Sequence, residues 1–562
     1  MSEDFRPVEM TGAMAIVEQL IANGVDKVFG LPGAQIYSLF DALQQRADRV
    51  RTYGARHEQA CGYMAFGYAR STGRPGVYAV VPGPGVLNTG AALCSAFGCN
   101  APVLCITGQT PSAFIGKGRG HLHELPDQLG VLSRLTKWAA RIDRVEDAPE
   151  IVNEAFRQML SGRPGPVALE MAWDTMAAKA PVALQPRATI APAPPPDPAA
   201  IEAAAALLAD ARRPMIMTGC GAQHASEAVR MLAEELDAPV AAFRGGRGVV
   251  GEDHPLGVSS YAAYRLWPET DAVIGIGTRL ELPYMRWTGM MKLIDRPVAP
   301  PHVIRIDVDP TEMTRFVPHV GIVADADAGA RALLAAVRGR RAGGSKDGAA
   351  ARAAIAKTKA AARAEYEAVQ PQIAYLDAIR EVLPRNGLFV TELSQVGFAS
   401  YFGYRVYEPR TYVSEGYQGT LGFGFPSALG VKVAYPDRPV VSVTGDGGFM
   451  FAVQELATAA QEKIAVVTLL FNNRSYGNVL RDQRVAYGNR VIGATLENPD
   501  FMALAKAFGV EGRRVNSPQA LKGALAEALK SAGPVLIEVE VAEGSEATPW
   551  PFIHPKPYEA RA

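Results

Sequence analysis

Cysteine, net charge and long apolar runs are all scarce in this chain of 562 residues, and each shortage excludes a class of protein. The 5 cysteines, Cys61, Cys94, Cys99, Cys105 and Cys220, are an odd number set among small and apolar neighbours without ligand-like spacing. Such thiols read as free and buried in a reducing compartment, neither a disulfide framework nor a zinc site, so a cytoplasmic location is expected. Lys+Arg and Asp+Glu each total 57, which leaves a formal net charge of zero. That removes the basic excess on which nucleic-acid and anionic-membrane binding depend. Apolar runs such as "IAVVTLLF" stop at about 8 residues, where a bilayer span needs roughly 20. The opening "MSEDFRPVEM" is acidic and is not followed by an apolar core, so no signal peptide is expected. No strand leads into G-x-G-x-x-G with an acidic residue about 20 positions on, and no Walker A motif occurs.

What is present is a globular composition, 48% hydrophobic and 20% charged, at a length that calls for two to four domains. Proline and alanine crowd "LQPRATIAPAPPPDPAA", a stretch suited to an exposed tether. A second shift comes in "RGRRAGGSKDGAAARAAIAKTKAAARAEYEAVQ", glycine-rich and then helical and basic. The expected organisation is a domain at 1–183, a linker at 184–200, a domain at 201–340, a linker at 341–370, a domain at 371–548 and a tail at 549–562. Each block alternates short Val/Ile-rich strands with helical stretches, as in "GVYAVVPGPG", "DAVIGIGTR" and "RPVVSVTGDGG". Continuous apolar strands separated by helices predict parallel sheets covered on both faces. The expected fold class is therefore α/β, with three doubly wound parallel-sheet domains.

One stretch carries chemistry. "VVSVTGDGGFMFAVQELATAAQEKIAVVTLLFNN" runs strand, turn, helix, strand, and places Asp446 at the end of one buried strand and Asn472-Asn473 at the end of the next. Taken singly, Gly-Asp-Gly and Asn-Asn are ordinary turn chemistry. With 24 residues between Gly447 and Asn472, both lie where neighbouring strands end. A carboxylate and an amide oxygen brought together there suit Mg²⁺, which keeps few protein ligands and takes substrate phosphates for the rest. The Gly448-Phe449 turn can offer N–H groups to those phosphates.

GDG, 24 residues and NN resemble the thiamin-diphosphate-binding motif, and the likeness extends along nearly the whole chain. "GVDKVFGLPGAQIYSLFDAL" resembles the opening of that family's pyrimidine-binding domain. "GARHEQACGYMAFGYARSTGRPGVYAVVPGPGVLN" resembles its glutamate region, "EGYQGTLGFGFPSALGVK" the segment beneath the thiazolium ring, and "DAVIGIGTRLE" with "VIRIDVDP" the central domain. Order and composition resemble the group of acetolactate synthase, pyruvate oxidase, oxalyl-CoA decarboxylase and 2-hydroxyacyl-CoA lyase, with an acetolactate-synthase-like look.

The resemblance implies roles residue by residue. Glu58 activates thiamin diphosphate at its pyrimidine N1′, which calls for a carboxyl enclosed by apolar groups. Leu421 holds the two rings in a V, and the Gly419 carbonyl accepts from the 4′-amino group. Pro32, Gly33, Pro82 and Asn88 border the pyrimidine. Ser394, Gln395, Gly445, Gly447, Gly448, Phe449, Tyr476 and Gly477 surround the diphosphate, while Asp446, the Asn473 side chain and the Ser475 carbonyl bind Mg²⁺. Leu122-His123-Glu124 stands where acetolactate synthases carry Phe-Gln-Glu, and His123 becomes a candidate acid/base with His121 two residues before it. "NRSYGNVLRDQRVAYGNR" also lacks the Gln-Trp element of acetohydroxyacid synthases. Both departures set branched-chain biosynthesis aside and keep C–C cleavage through an enamine. The implied substrate is a small 2-oxo acid or an acyl-CoA. The implied partner is a second copy, as a homodimer or a dimer of dimers with the cofactor between subunits, and neither nucleic acid nor membrane. FAD, an adenine nucleotide or nothing suits the central domain, and the tail at 549–562 suits a lid. The rival expectations are a flavin-dependent oxidase of the pyruvate-oxidase kind, a CoA-thioester lyase or decarboxylase, and a catalytically inactive scaffold or regulator. Retention of Glu58, Asp446, Asn473 and Leu421 weighs against the last.

Overall fold

The computed structural model describes residues 6–288, 300, 302–315, 317–340 and 348–558. Residues 341–347 of the expected second linker and 559–562 of the tail lie outside the described residues. Three six-stranded sheets follow one another along the chain, each parallel throughout, with helices between most successive strands. This is the three-sheet α/β architecture that the apolar strands predict. Buried strands such as Val440–Gly445 and Val103–Gln109 have no polar face because helices cover both sides.

The first sheet runs Arg51–Gly54, Lys27–Gly30, Gly76–Val80, Val103–Gln109, Val167–Ala172 and Trp138–Ile142 across its width. Counted in chain order, that is 2-1-3-4-6-5. The last sheet runs Tyr412–Val413, Leu388–Thr391, Val440–Gly445, Val467–Asn472, Val535–Glu540 and Glu511–Val515, again 2-1-3-4-6-5. The central sheet follows 3-2-1-4-5-6, from Gly257–Val258 through Pro214–Thr218 and Ala272–Ile276 to Val320–Val323. In such sheets the crevice for a ligand opens beyond the strand carboxyl ends where the order reverses. That is between strands 1 and 3 in the outer sheets, and between strands 1 and 4 in the central one. A short antiparallel pair, Val8–Thr11 with Lys179–Val182, ties the start of the first unit to its end.

The first and last units meet through equivalent helices, Glu58–Thr72 and Gly424–Ala434, each joining strands 2 and 3 of its own sheet. Their backbones touch reciprocally. A Cβ on Gly67 would lie 2.1 Å from the Ser427 carbonyl oxygen, and one on Gly430 would lie 1.9 Å from that of Met64. Each partner sits three residues before the other helix's glycine, so the crossing has a local two-fold character. Phe423 closes one end, with its ring 5.5 Å from Tyr63 and 5.2 Å from Phe66, both edge-on.

The start of helix Glu58–Thr72 is fixed from the other unit. Buried Glu455 accepts the Arg56 N–H at 3.2 and 3.1 Å, and the His57 ring accepts that of Gln59 at 3.2 Å. These acceptors satisfy backbone donors that a helix N-terminus leaves unpaired. Beyond 184–197, which holds no helix or strand, Asp197 caps helix Pro198–Asp210. Residues Gly348–Tyr366 form a helix whose last ring packs 5.5 Å from Phe402. All five cysteines are free, and Cys61, Cys99 and Cys105 are buried. Among the described residues no helix is long and apolar enough to cross a membrane.

Candidate active site

The first half of the site lies at the reversal of the first sheet. Pro32 and Gly33 follow strand 1, Pro82 follows strand 3, and Glu58 opens the helix after strand 2. Glu58 accepts a hydrogen bond from Asn88 Nδ2 at 3.0 Å. The wall beside it is close-packed on glycine. A Cβ on Gly33 would lie 2.6 Å from Val81 Cγ1, and one on Gly85 would lie 2.6 Å from Val81 Cγ2 and 3.6 Å from Glu58 Oε1. His123 shares this half. Burial lowers its pKa below the ordinary 6.5, while the charge on Glu58 opposes that shift. Glu58 is half-buried, where a glutamate enclosed by apolar groups is the expectation. The Asn88 amide and the Gly85 backbone cover part of the carboxylate, and the rest of it is exposed.

The second half lies at the equivalent reversal of the last sheet. Strands Val440–Gly445 and Val467–Asn472 are parallel neighbours with Gly445 opposite Phe471, so Asp446 and Asn473 emerge side by side. Asp446 is buried, and burial raises its carboxyl pKa against hydrogen bonds from Asn498 Nδ2 and backbone N–H groups. Asn498 donates to Asp446 Oδ2 at 2.7 Å and to Asn472 Oδ1 at 3.0 Å. The Asn473 Oδ1 accepts from Ser475 N and Oγ at 3.1 Å, and its Nδ2 donates to Glu546 Oε2 at 2.7 Å. Several glycines here are closely packed by side chains. A Cβ on Gly447 would lie 2.4 Å from the Tyr476 ring, and one on Gly445 would lie 3.3 Å from Ser394 Cβ. One on Gly477 would lie 2.9 Å from Asn473 Nδ2 and 3.3 Å from Gln395 Nε2. Ser394 caps helix Gln395–Gly403 through its Oγ, 3.0 Å from Gly397 N. Gly448 and Phe449 lie in the buried turn, and Gly448 faces Glu392.

Between the halves lies the segment after strand Tyr412–Val413. Gly419 is exposed with a left-handed φ of 61°, and Leu421 is half-buried. Thr420 between them is bound to Tyr63 Oη at 2.9 Å and to Ser95 Oγ at 3.2 Å, which fixes the segment on the first unit. Beneath it Glu392 accepts from Gly422 N and Thr444 Oγ1, and burial raises its pKa to about 7.

Among the described residues, no hydrogen bond or ion pair joins Glu58, Asn88 and His123 to Asp446, Asn473 and Ser475. Each set is assembled, and no direct side-chain contact links the two among the described residues. The donor chemistry of the second set fits a divalent cation. Asp446 and Glu546 are two carboxylates raised by burial, the charge of Asp446 raises Glu546 further, and among the described residues no lysine or arginine side chain is hydrogen-bonded to either. At Gly445, Gly447 and Gly477 the place of a Cβ is taken by Ser394, by the Tyr476 ring, and by Asn473 with Gln395, so the absence of side chains lets these groups close around the Asp446 turn. Sequence reasoning missed Asn498, Glu546, Glu392 and Gln35. Asn498 stands 52 residues from Asp446 and Glu546 73 from Asn473, so no local spacing signals either.

Two outer sheets of one topology, a central sheet of another, and polar clusters at matching strand reversals define a three-unit α/β protein built to hold an extended phosphorylated ligand. Residues 10–131 match the family description "Thiamine pyrophosphate enzyme, N-terminal TPP binding domain", 201–333 its central domain and 393–539 its C-terminal TPP binding domain. The chain belongs to the thiamine-pyrophosphate-dependent enzymes, in their acetolactate-synthase-like group. It is 35% identical over 541 residues to a probable 2-ketoarginine decarboxylase of Pseudomonas aeruginosa, covering 94% of each chain. A probable acetolactate synthase large subunit of Methanocaldococcus jannaschii is 35% identical, over 96% of this chain and 93% of that one. The acetolactate synthase isozyme 1 large subunit of Escherichia coli is 31% identical, over 97% and 96%.

Proposed function

We propose that this chain is a cytoplasmic lyase or transferase that uses thiamin diphosphate and Mg²⁺ to break or make the C–C bond beside the carbonyl of a small 2-oxo acid. The observation that carries this reading is the pair of half-sites, Glu58 with Asn88 and Asp446 with Asn473, at the same reversal of two sheets of one topology. Decarboxylation is the primary outcome and carboligation the alternative. Leu122-His123-Glu124 in place of Phe-Gln-Glu, and relatives of both kinds, support that order.

When bound, thiamin diphosphate supplies a nucleophilic carbon and an electron sink. The chain does the rest. Glu58 holds a proton at the pyrimidine N1′, and Asn88 fixes the carboxylate that holds it. The Gly419 carbonyl would accept from the cofactor's amino group, and Leu421 would pack against its rings. Asp446, the Asn473 amide oxygen and the Ser475 carbonyl hold Mg²⁺, and Gly448 and Phe449 N–H groups with Ser394, Gln395, Tyr476 and Gly477 receive the diphosphate. Pro32, Gly33 and Pro82 line the pyrimidine side.

A second copy of the chain completes the site in a homodimer or a dimer of dimers. The half-buried Glu58 supports this, as do the large exposed apolar side chains beside the two halves, Leu87, Leu122 and Phe451. In the central unit, a cavity of about 740 Å³ opens at the strand reversal, with Gly219 and Gly277 at its floor and Arg244, Arg279 and Asp307 on its walls. It suits an adenine nucleotide or FAD, and a flavin spectrum in the purified protein would decide for FAD. The main reading is tested by exchange of the cofactor's C2 proton, alongside a screen of 2-oxo acids scored for CO₂ and aldehyde. Exchange and turnover that survive Glu58→Gln unchanged would defeat it.

A further inference from the structure

A residue with no part in the roles above holds the His123 loop. Gln35 is 1% exposed and takes a left-handed φ of 72° in the turn after strand Lys27–Gly30. His123 is left-handed too, at 64°, and Gly83 at 62°. The loop and the turn at Gly83 are in backbone contact, since a Cβ on Gly83 would lie 2.5 Å from the His123 carbonyl oxygen. Left-handed conformations at two non-glycine residues are strained and persist only where surrounding contacts hold them. The turn is held from behind. Gln128 Oε1 accepts from Gly83 N at 2.8 Å, and Gln128 Nε2 donates to buried Glu170 at 2.8 Å.

The Gln35 amide reads as follows. Its Nε2 lies 2.7 Å from the Leu122 carbonyl oxygen, which can only accept. The amide is therefore oriented with Nε2 toward Leu122, because the reverse would set two oxygens against each other. That leaves Oε1 facing His123 Nδ1 at 3.0 Å. An amide oxygen cannot donate, so Nδ1 carries the hydrogen and the other ring nitrogen keeps its lone pair.

We propose that Gln35 is a positioning residue that fixes His123 as the Nδ1–H tautomer, so that Nε2 presents an unprotonated acceptor to the substrate at the rim of the Glu58 half-site. The substrate role rests on the proposed function, and the tautomer does not. Nε2 takes up a proton at the substrate oxygen and returns it at the substrate carbon, through an imidazolium that keeps its Nδ1–H bond to Gln35. The ring ends as the starting tautomer, and the one proton that loss of CO₂ from a 2-oxo acid anion consumes comes from water, so charge and protons balance over a turnover. The ionisable groups around the ring are Glu58 on the facing helix and His121 and Glu124 on its own loop. Glu124 is occupied by the N–H groups of Gly118 and His121, each at 2.9 Å.

The test is a long-range ¹H–¹⁵N spectrum of the full-length enzyme labelled in its 8 histidines, with His123 assigned by the signals lost in His123→Asn. The expected pattern near pH 7.5 is a pyrrole-type Nδ1 and a pyridine-type Nε2. Gln35→Met is expected to move His123 toward the Nε2–H form and lower kcat about 10-fold with little change in KM. Gln35→Glu, which keeps an acceptor for Nδ1 while giving up the donor to the Leu122 carbonyl, is expected to keep the Nδ1–H pattern, loosen the loop at Leu122 and raise the pH at which His123 protonates. A pyridine-type Nδ1 in the unmodified enzyme, or an unchanged His123 pattern in Gln35→Met, would overturn the proposal. Should Gln35→Met fail to fold, the spectrum of the unmodified enzyme decides alone. Absence of cofactor C2 exchange would remove the substrate role together with the proposed function, while the spectrum still decides the tautomer.

Discussion

The first and last units share one strand order and one kind of ligand crevice, yet they are furnished for opposite tasks. After strand 2 the first unit sets a carboxylate, Glu58, at the head of the helix leading to strand 3. At the same point the last unit sets Gly419 and Leu421 ahead of its own helix. After strand 3 the first unit has the uncharged Pro82-Gly83 turn, and the last has the buried Asp446. The lesson is that one scaffold supplies two addresses, and the residue type at each address divides the work. In the proposed function one unit handles a proton on an aromatic ring, and the other handles a charged diphosphate and its metal.

That division can be broken from either side. Glu58→Gln keeps the shape of its wall and removes the proton carrier. Activity is expected to fall about 10³-fold, while Mg²⁺-dependent cofactor binding, read by calorimetry, is retained. Asp446→Ala should do the converse, weakening apparent Mg²⁺ and cofactor affinity by about 10²-fold, so that saturating cofactor no longer raises the melting temperature. Glu546→Gln removes a charge that the sequence motif does not contain. It is expected to cost about 10-fold in Mg²⁺ affinity while leaving C2 exchange at saturating Mg²⁺ near its original rate. A Cβ at the helix crossing acts on the joint between the units. Gly67→Ala is expected to destabilise the fold by about 2–3 kcal/mol in denaturant unfolding, because backbone on the facing helix cannot move aside as a side chain could.

The smallest expected effect is on pH dependence. Glu392 is raised from its ordinary 4.5 to about 7 by burial, so the folded state holds an extra proton between those values. Its contribution to stability is complete below about 4.5 and is lost as pH rises through about 7. The cofactor-free protein is therefore expected to melt lower at pH 8 than at pH 5.5, and Glu392→Gln should flatten that slope in thermal scans.

Much of this was legible in the sequence, and the unread part has a physical cause. Apolar strands alternating with helices announce three parallel sheets, and the 24-residue spacing places Asp446 and Asn473 at adjacent strand ends. Those signals are local. Strand order is not local, so nothing in the sequence reveals that the outer sheets are topological copies or that Gly67 and Gly430 are reciprocal contacts. Glu546, Asn498 and Gln35 reach their partners across long loops whose length is unconstrained, and a lone Glu, Asn or Gln carries no periodic signature. Glu58 was found by resemblance, with an enclosed pocket expected, and the single chain leaves it half-buried. That mismatch is itself informative, because it marks the surface on which a second copy is proposed to sit.

The central claim is that one cofactor is held by the Glu58 wall of one copy and the Asp446 cradle of another. It is tested most directly by subunit complementation. Glu58→Gln and Asp446→Ala chains, each inactive alone, are dissociated, mixed and reassembled, and turnover is measured with saturating thiamin diphosphate and Mg²⁺. The account predicts that activity returns, because a mixed dimer contains one site with both native residues. Mixed dimers that form and stay inactive would contradict it.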